Sequence, residues 1–116
     1  MTETWTLKQY IDHIAKRDSP KYRNRRTEYN GRVYDSIKEA NYAQRLDQEV
    51  KNGTVLSWIS QVPFRLPGGA KHIVDFLIFL PGQRCRLVEV KGRDLPMGRM
   101  KRKQVEEIYK VDIEVV

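Results

Sequence analysis

The chain has 116 residues, of which 40% are hydrophobic and 32% charged, and it carries a formal net charge of +7 at pH 7. That length predicts one domain with a real core, and that composition excludes a disordered or fibrous chain. The longest apolar run, "IVDFLIFL", is too short to span a bilayer and contains an acid, so no membrane is expected. No basic-then-apolar leader is visible, and a single cysteine, Cys85, excludes an internal disulfide, so a cytoplasmic location is expected. A lone cysteine in a strand is expected to be a small buried hydrophobe.

Residues 3 to 17 place Leu7, Tyr10, Ile11 and Ile14 at helical spacing. "SPKYRNRR" follows as a basic connector, with Pro20 disfavouring helix at Ser19. Residues 1–27 therefore read as an N-terminal helix and basic arm, and 28–116 as the body of the protein. "YNGRVYDS" holds an Asn-Gly pair between strand-prone residues and predicts a tight hairpin. Ser36 is a candidate N-cap for a helix running to about Asn52, where Gly53 stops it. "TVLSWISQVPFRL" is strand-rich but interrupted by Pro63, which predicts a bend or a sheet edge there. "PGG" turns the chain, "HIVDFLIFL" is the most strongly strand-prone segment, and "PGQR" is a hairpin turn leading into "CRLVEVKG". A helix over 97–110 and a terminal strand in "VDIEVV" complete the order. These elements predict an α/β or α+β core, a mixed sheet of four or five strands flanked by helices, with "RLVEVKG" and "VDIEVV" parallel and joined by a right-handed crossover.

Positive charge is clustered. Lys16 to Arg26 holds six basic residues against Asp18, and Lys91 to Lys103 holds six against Asp94. Such clusters attract polyanions, and nucleic acid is the expected one. In the strand at 73–80, Val74, Phe76, Ile78 and Leu80 share one face by alternation, and Ile73, Asp75, Leu77 and Phe79 the other. Asp75 is then one carboxylate on an otherwise apolar strand, and it needs a cation or hydrogen-bond donors. Hairpin pairing brings Glu89 and Lys91 toward it, and two converging carboxylates are reconciled by a divalent cation. The alternative for Asp75, Glu89 and Lys91 is a structural salt bridge on an exposed sheet face. Glu39 supplies a third acid on the inward side of the first helix, in line with Ala43, Leu46 and Val50. Ser36-Ile37-Lys38-Glu39 also matches a capping box, which is an equal account of Glu39. By the same alternation, His72 points away from Asp75, and neither His72 nor His13 has ligand spacing.

"VDF" at 74–76, fourteen residues from Asp75 to Glu89, and then "EVKG" at 89–92 together resemble the signature of the PD-(D/E)XK nuclease superfamily. Glu39 in "YDSIKEANYAQRL" matches the glutamate that such proteins carry on the preceding helix. The body is similar to a family of small phage proteins of restriction-endonuclease-like fold, and its helix-hairpin order resembles phage endonuclease I and Holliday junction resolvases. The departure is Val74, where the signature has proline. The resemblance implies a metal-dependent DNA endonuclease, selective for branched DNA, acting in phage recombination or processing as a homodimer in the host cytoplasm. It implies Glu39, Asp75, Glu89 and Lys91 as catalytic residues. Mg²⁺, with Mn²⁺ as a substitute, would be bound by Asp75, Glu89, the Val90 carbonyl and Glu39. Arg23, Arg25, Arg26, Arg93, Arg99, Lys101, Arg102 and Lys103 would follow flanking phosphates, with some facing solvent instead. Gln104 and Tyr109 are further candidates from the last helix, Tyr109 more simply as a packing residue. The competing expectations are a non-catalytic DNA-binding accessory protein of replication or recombination, and a protein-interaction module with structural salt bridges.

Overall fold

A computed structural model describes residues 25–92 and 94–116. The expected N-terminal helix, Arg23 and Arg93 lie outside the described residues. By its contacts the chain divides between Ala40 and Asn41 into two compact units.

In the first unit, strands β1 (Thr27–Tyr29) and β2 (Arg32–Tyr34) pair antiparallel, with Tyr29 opposite Arg32. Asn30 and Gly31 both take positive φ, 52° and 78°. This is the geometry that a two-residue turn needs to match strand twist, and Asn-Gly adopts it at least cost. Helix α1 (Ile37–Lys51) then starts at Ser36, whose Oγ accepts the Glu39 N–H at 3.1 Å. That is one half of the capping box.

The rest of α1 belongs to the second unit and buries Ala43 and Leu46. Gly53, at φ 86°, stops it, and the Thr54 and Val55 N–H groups return to the Glu49 carbonyl. Next come β3 (Ser57–Arg65), a short 3₁₀ turn (Pro67–Gly69), β4 (Lys71–Leu80), β5 (Arg84–Glu89), α2 (Pro96–Tyr109) and β6 (Ile113–Val115). The sheet order is β3-β4-β5-β6; β4 pairs antiparallel with β3 and β5, and β6 pairs parallel with β5. The fold is thus α+β around a mixed four-stranded sheet, with α2 as the crossover between the parallel strands. Pro96 occupies the first turn of α2, where its missing N–H is harmless, and Lys110 ends the helix in the left-handed conformation at φ 56°. No helix among the described residues is long and apolar enough to cross a membrane.

Of the two alternatives predicted for Pro63, the sheet edge is the one found: it pairs with Ile73 on the outer strand of the sheet, where its missing donor costs nothing. The break in the ladder falls two rungs away. Ser60 pairs with Phe76 and Val62 with Val74, but the rung between them, Gln61 with Asp75, is absent, and Gln61 has φ 58°. A residue out of extended conformation interrupts the alternation of side chains. Val74 accordingly packs with Val62, Phe64, Leu66, Leu77, Leu87, Val105 and Ile113. Phe76 instead stacks near Tyr42 and Trp58, with ring centres 5.2 and 5.6 Å away. Val74 and Phe76 therefore do not share a face. Cys85 is exposed rather than buried, because it lies near the turn end of the β4–β5 hairpin, opposite Phe79.

Candidate active site

The β4–β5 pairing is set by a short Pro81-Gly82-Gln83 turn, with Gly82 and Gln83 at positive φ. Leu80 faces Arg84 and the ladder runs to Phe76 opposite Val88. One further step in this register puts Asp75 level with Glu89. Here the strands stop exchanging backbone hydrogen bonds. Asp75 Oδ2 accepts the Val90 N–H at 2.8 Å, so a carboxylate ends the ladder. On the other side, the Val116 N–H donates to the Glu89 carbonyl at 2.9 Å and the Lys91 N–H to the Val116 carbonyl at 3.1 Å. The segment 89–91 is thereby held extended between Asp75 and the C-terminal strand.

Glu89 is fully buried. A desolvated carboxylate is tolerable only if positive charge and hydrogen bonds surround it. Three side chains from three segments supply them. His72 Nε2 donates to Glu89 Oε1, since an ionised carboxylate can only accept. Arg102 Nη1 lies 3.2 Å and Lys91 Nζ 3.7 Å from Oε2. Arg102 also grips Asp94, with Nη1 at 3.2 Å from Oδ1 and Nη2 at 2.9 Å from Oδ2. That hydrogen-bonded pairing holds the Asp94 carboxyl below the usual carboxylate range and raises Arg102 further above its own. Arg99 Nη1 adds a bond to the Asp94 carbonyl at 2.6 Å, which ties the start of α2 to the loop before it.

The structure brings Glu89 and Lys91 together, and places Asp75 level with them on the neighbouring strand. Glu39 is buried in the first turn of α1, within the first unit. Arg25 and Arg26 are exposed and also in that unit. On α2, Arg99 and Lys103 are exposed and Lys101 is half-buried. Arg102 departs from the expectation of a phosphate contact: its side chain is 12% exposed and committed to two carboxylates. The reason is visible on the helix, since Arg102 stands three residues before Val105, the fully buried anchor of α2, and so shares its face. Gln104 is exposed, and Tyr109 braces α2 on β3, its ring edge-on to Phe64 at 5.0 Å and its hydroxyl donating to the Arg65 carbonyl at 2.8 Å. His72 is the residue that alternation missed. Alternation turns it away from Asp75, and in the structure its ring reaches the buried Glu89 carboxylate.

Among the described residues, no three His, Cys, Asp or Glu side chains are grouped so as to hold a metal ion. The donor set at the hairpin end still fits Mg²⁺. That ion takes oxygen ligands, binds through one or two carboxylates and keeps several waters. Asp75, Glu89 and the Val90 carbonyl are such a set, and a cation there competes with Lys91 and Arg102 for Glu89 Oε2.

Neither curated proteins nor solved structures give a match to this chain. A model of one family, described as proteins of unknown function and designated DUF1064, matches residues 19–115, which include the hairpin, both helices and the whole sheet. The chain belongs to the DUF1064 family.

Proposed function

We propose that the protein is a metal-dependent DNA endonuclease of PD-(D/E)XK type, selective for branched DNA and related in action to Holliday junction resolvases. The observation that carries this reading is the end of the β4–β5 hairpin. Asp75 and Glu89 stand level on adjacent strands, and Lys91 Nζ lies 3.7 Å from the Glu89 carboxylate. Asp75, Glu89 and the Val90 carbonyl would hold Mg²⁺, which would supply Lewis acidity toward a phosphoryl oxygen and a more acidic water. Lys91 donates to a nonbridging oxygen of the scissile phosphate and stabilises the charge that develops there. Glu89 keeps the Lys91 ammonium at the site between turnovers. His72 holds the Glu89 carboxylate in one orientation through Oε1, which is the positioning that in-line attack requires.

Arg99, Lys101 and Lys103 neutralise flanking phosphates, and the exposed Arg25 and Arg26 are further DNA contacts in this reading. Each phosphate so neutralised adds about 0.9 to the slope of log affinity against log salt. Paired cuts in two symmetric strands need two copies of the site, so a homodimer is the expected acting form.

The experiment is cleavage of a labelled four-way junction and a matched linear duplex in Mg²⁺, Mn²⁺ or EDTA, by wild type and Asp75→Asn. Paired nicks across the junction, lost in EDTA and in the variant, support the resolvase reading. Metal-dependent cutting of both substrates leaves a general nuclease. A second reading, a non-catalytic DNA-binding accessory protein, draws on the fact that His72 and Arg102 already occupy both oxygens of Glu89. Tight binding without cutting under any metal, and no uptake of Mn²⁺, selects it.

A further inference from the structure

Glu89 Oε2 is shared by two cations, and one of them, Arg102, also engages a second carboxylate. Arg102 Nη1 lies 3.2 Å from Glu89 Oε2 and also 3.2 Å from Asp94 Oδ1, while Nη2 is 2.9 Å from Asp94 Oδ2. The same guanidinium is therefore two-pronged on Asp94 and single-pronged on Glu89. The two acids differ in setting: the Asp94 side chain is 30% exposed and that of Glu89 is fully buried. His72 engages Oε1, the other oxygen, and does not compete for Oε2. Arg102 is delivered from a fixed helix face, three residues from the buried Val105, so moving between the two carboxylates needs only a change of side-chain rotamer.

We propose that Arg102 is a positioning residue that sets the cation affinity of Glu89, holding its carboxylate in the metal-free protein and yielding Oε2 by resting wholly on Asp94 when a divalent cation binds. The inference rests on the metal-binding reading above and adds a residue and a partner to it. Its physical basis is competition. A guanidinium cannot be deprotonated, so a cation arriving at Glu89 meets a permanent positive charge on the oxygen it needs. Asp94 makes the exchange feasible, because without it the displaced charge would have no partner at a largely desolvated position. At these separations, removing one unit charge from beside a divalent ion corresponds to roughly a tenfold or larger gain in affinity.

The test is Mn²⁺ binding to the full chain without DNA, read by the electron paramagnetic resonance of free Mn²⁺ and by calorimetry. Wild type, Arg102→Met, Asp94→Asn, the double variant and Glu89→Gln are compared. Arg102→Met is expected to bind roughly tenfold more tightly. Asp94→Asn is expected to bind several-fold more weakly, because Arg102 then leans on Glu89 alone, and this loss is expected to vanish in the double variant. Thermal melting in EDTA and in Mn²⁺ gives a second readout, in which Arg102→Met loses stability without metal and recovers more than wild type with it. Equal Mn²⁺ affinity of Arg102→Met and wild type overturns the proposal and leaves an ordinary ion pair. Weaker binding by Arg102→Met overturns it too, since the guanidinium would then be needed for the bound state. If Arg102→Met does not fold, Asp94→Asn decides: weaker binding supports the proposal, and unchanged or tighter binding refutes it. Binding by wild type that Glu89→Gln abolishes keeps the metal reading whatever Arg102 does. No binding by wild type removes both.

Discussion

Glu89→Gln changes the charge of a fully buried side chain and leaves its shape nearly intact, so its cost measures the electrostatics of the pocket rather than its packing. Wild-type Glu89 is compensated by His72, Arg102 and Lys91. Removing one partner of a buried ion pair costs about 3–5 kcal/mol, because the opposite charge is left without compensation. Two features reduce that figure here: Arg102 keeps its two bonds to Asp94, and the Lys91 side chain is 30% exposed and can turn to water. A loss of about 2–4 kcal/mol follows. For a domain of this size, 1 kcal/mol moves the melting midpoint by about 4–8 °C, so a fall of roughly 8–32 °C is expected. The measurement is urea unfolding in EDTA, followed by the fluorescence of Trp58, whose indole packs on Phe76 and donates to Asp47 at 2.9 Å. Asp75→Asn is the matched control. An asparagine oxygen can still accept the Val90 N–H, so the expected cost is under about 1 kcal/mol while DNA cleavage is lost. A Glu89→Gln loss smaller than about 1 kcal/mol would refute the account of Glu89 as a desolvated carboxylate held by cations.

Gln61→Val is expected to lower stability by about 1–2 kcal/mol although valine has the higher strand propensity, because a β-branched residue at φ 58° is strained; a stabilised variant in urea unfolding would disprove the role given to this rung. Arg86 bonds Glu114 at 2.6 and 2.7 Å and holds its carboxyl below the ordinary glutamate value. A depressed carboxyl pKa contributes stability that is present above the ordinary value and lost as pH falls through the lowered one. With the Glu114 side chain 45% exposed, that contribution stays under about 1 kcal/mol, and the difference between wild type and Glu114→Gln should shrink to nothing at acid pH. The role that the superfamily resemblance implies for Glu39 predicts that Glu39→Gln loses metal-dependent cleavage at unchanged DNA affinity. A purely capping Glu39 would cost about 1 kcal/mol of stability and leave cleavage per folded molecule unchanged.

Local chemistry made much of the chain legible. Asn30-Gly31 names its turn because only such residues take two positive φ values cheaply, and Ser36 and Gly53 bracket α1 because helix ends need partners for their spare backbone groups. The helix expected over 97–110 is α2, which starts one residue earlier at Pro96, and the two strand runs around "PGQR" located the hairpin that sets Asp75 level with Glu89. The residues around Glu89 were less legible. Lys91 could be paired with it because residues two apart on a strand share a face. Arg102 carries a readable signal in its distance from Val105, which sets it apart from its exposed neighbours.

Sequence by itself determined the order of the elements, the mixed sheet and the concentration of acid and base at one hairpin end, since these depend on spacing and turn chemistry within short windows. Tertiary structure decided who surrounds Glu89. Alternation along β4 assumes an uninterrupted ladder, but the Gln61–Asp75 rung is missing, and on its two sides His72 and Val74 pack with Glu89 and Leu87 while Phe76 packs with Tyr42 and Trp58. A phase change of that kind is a property of two strands held together, and neither strand's own residues announce it.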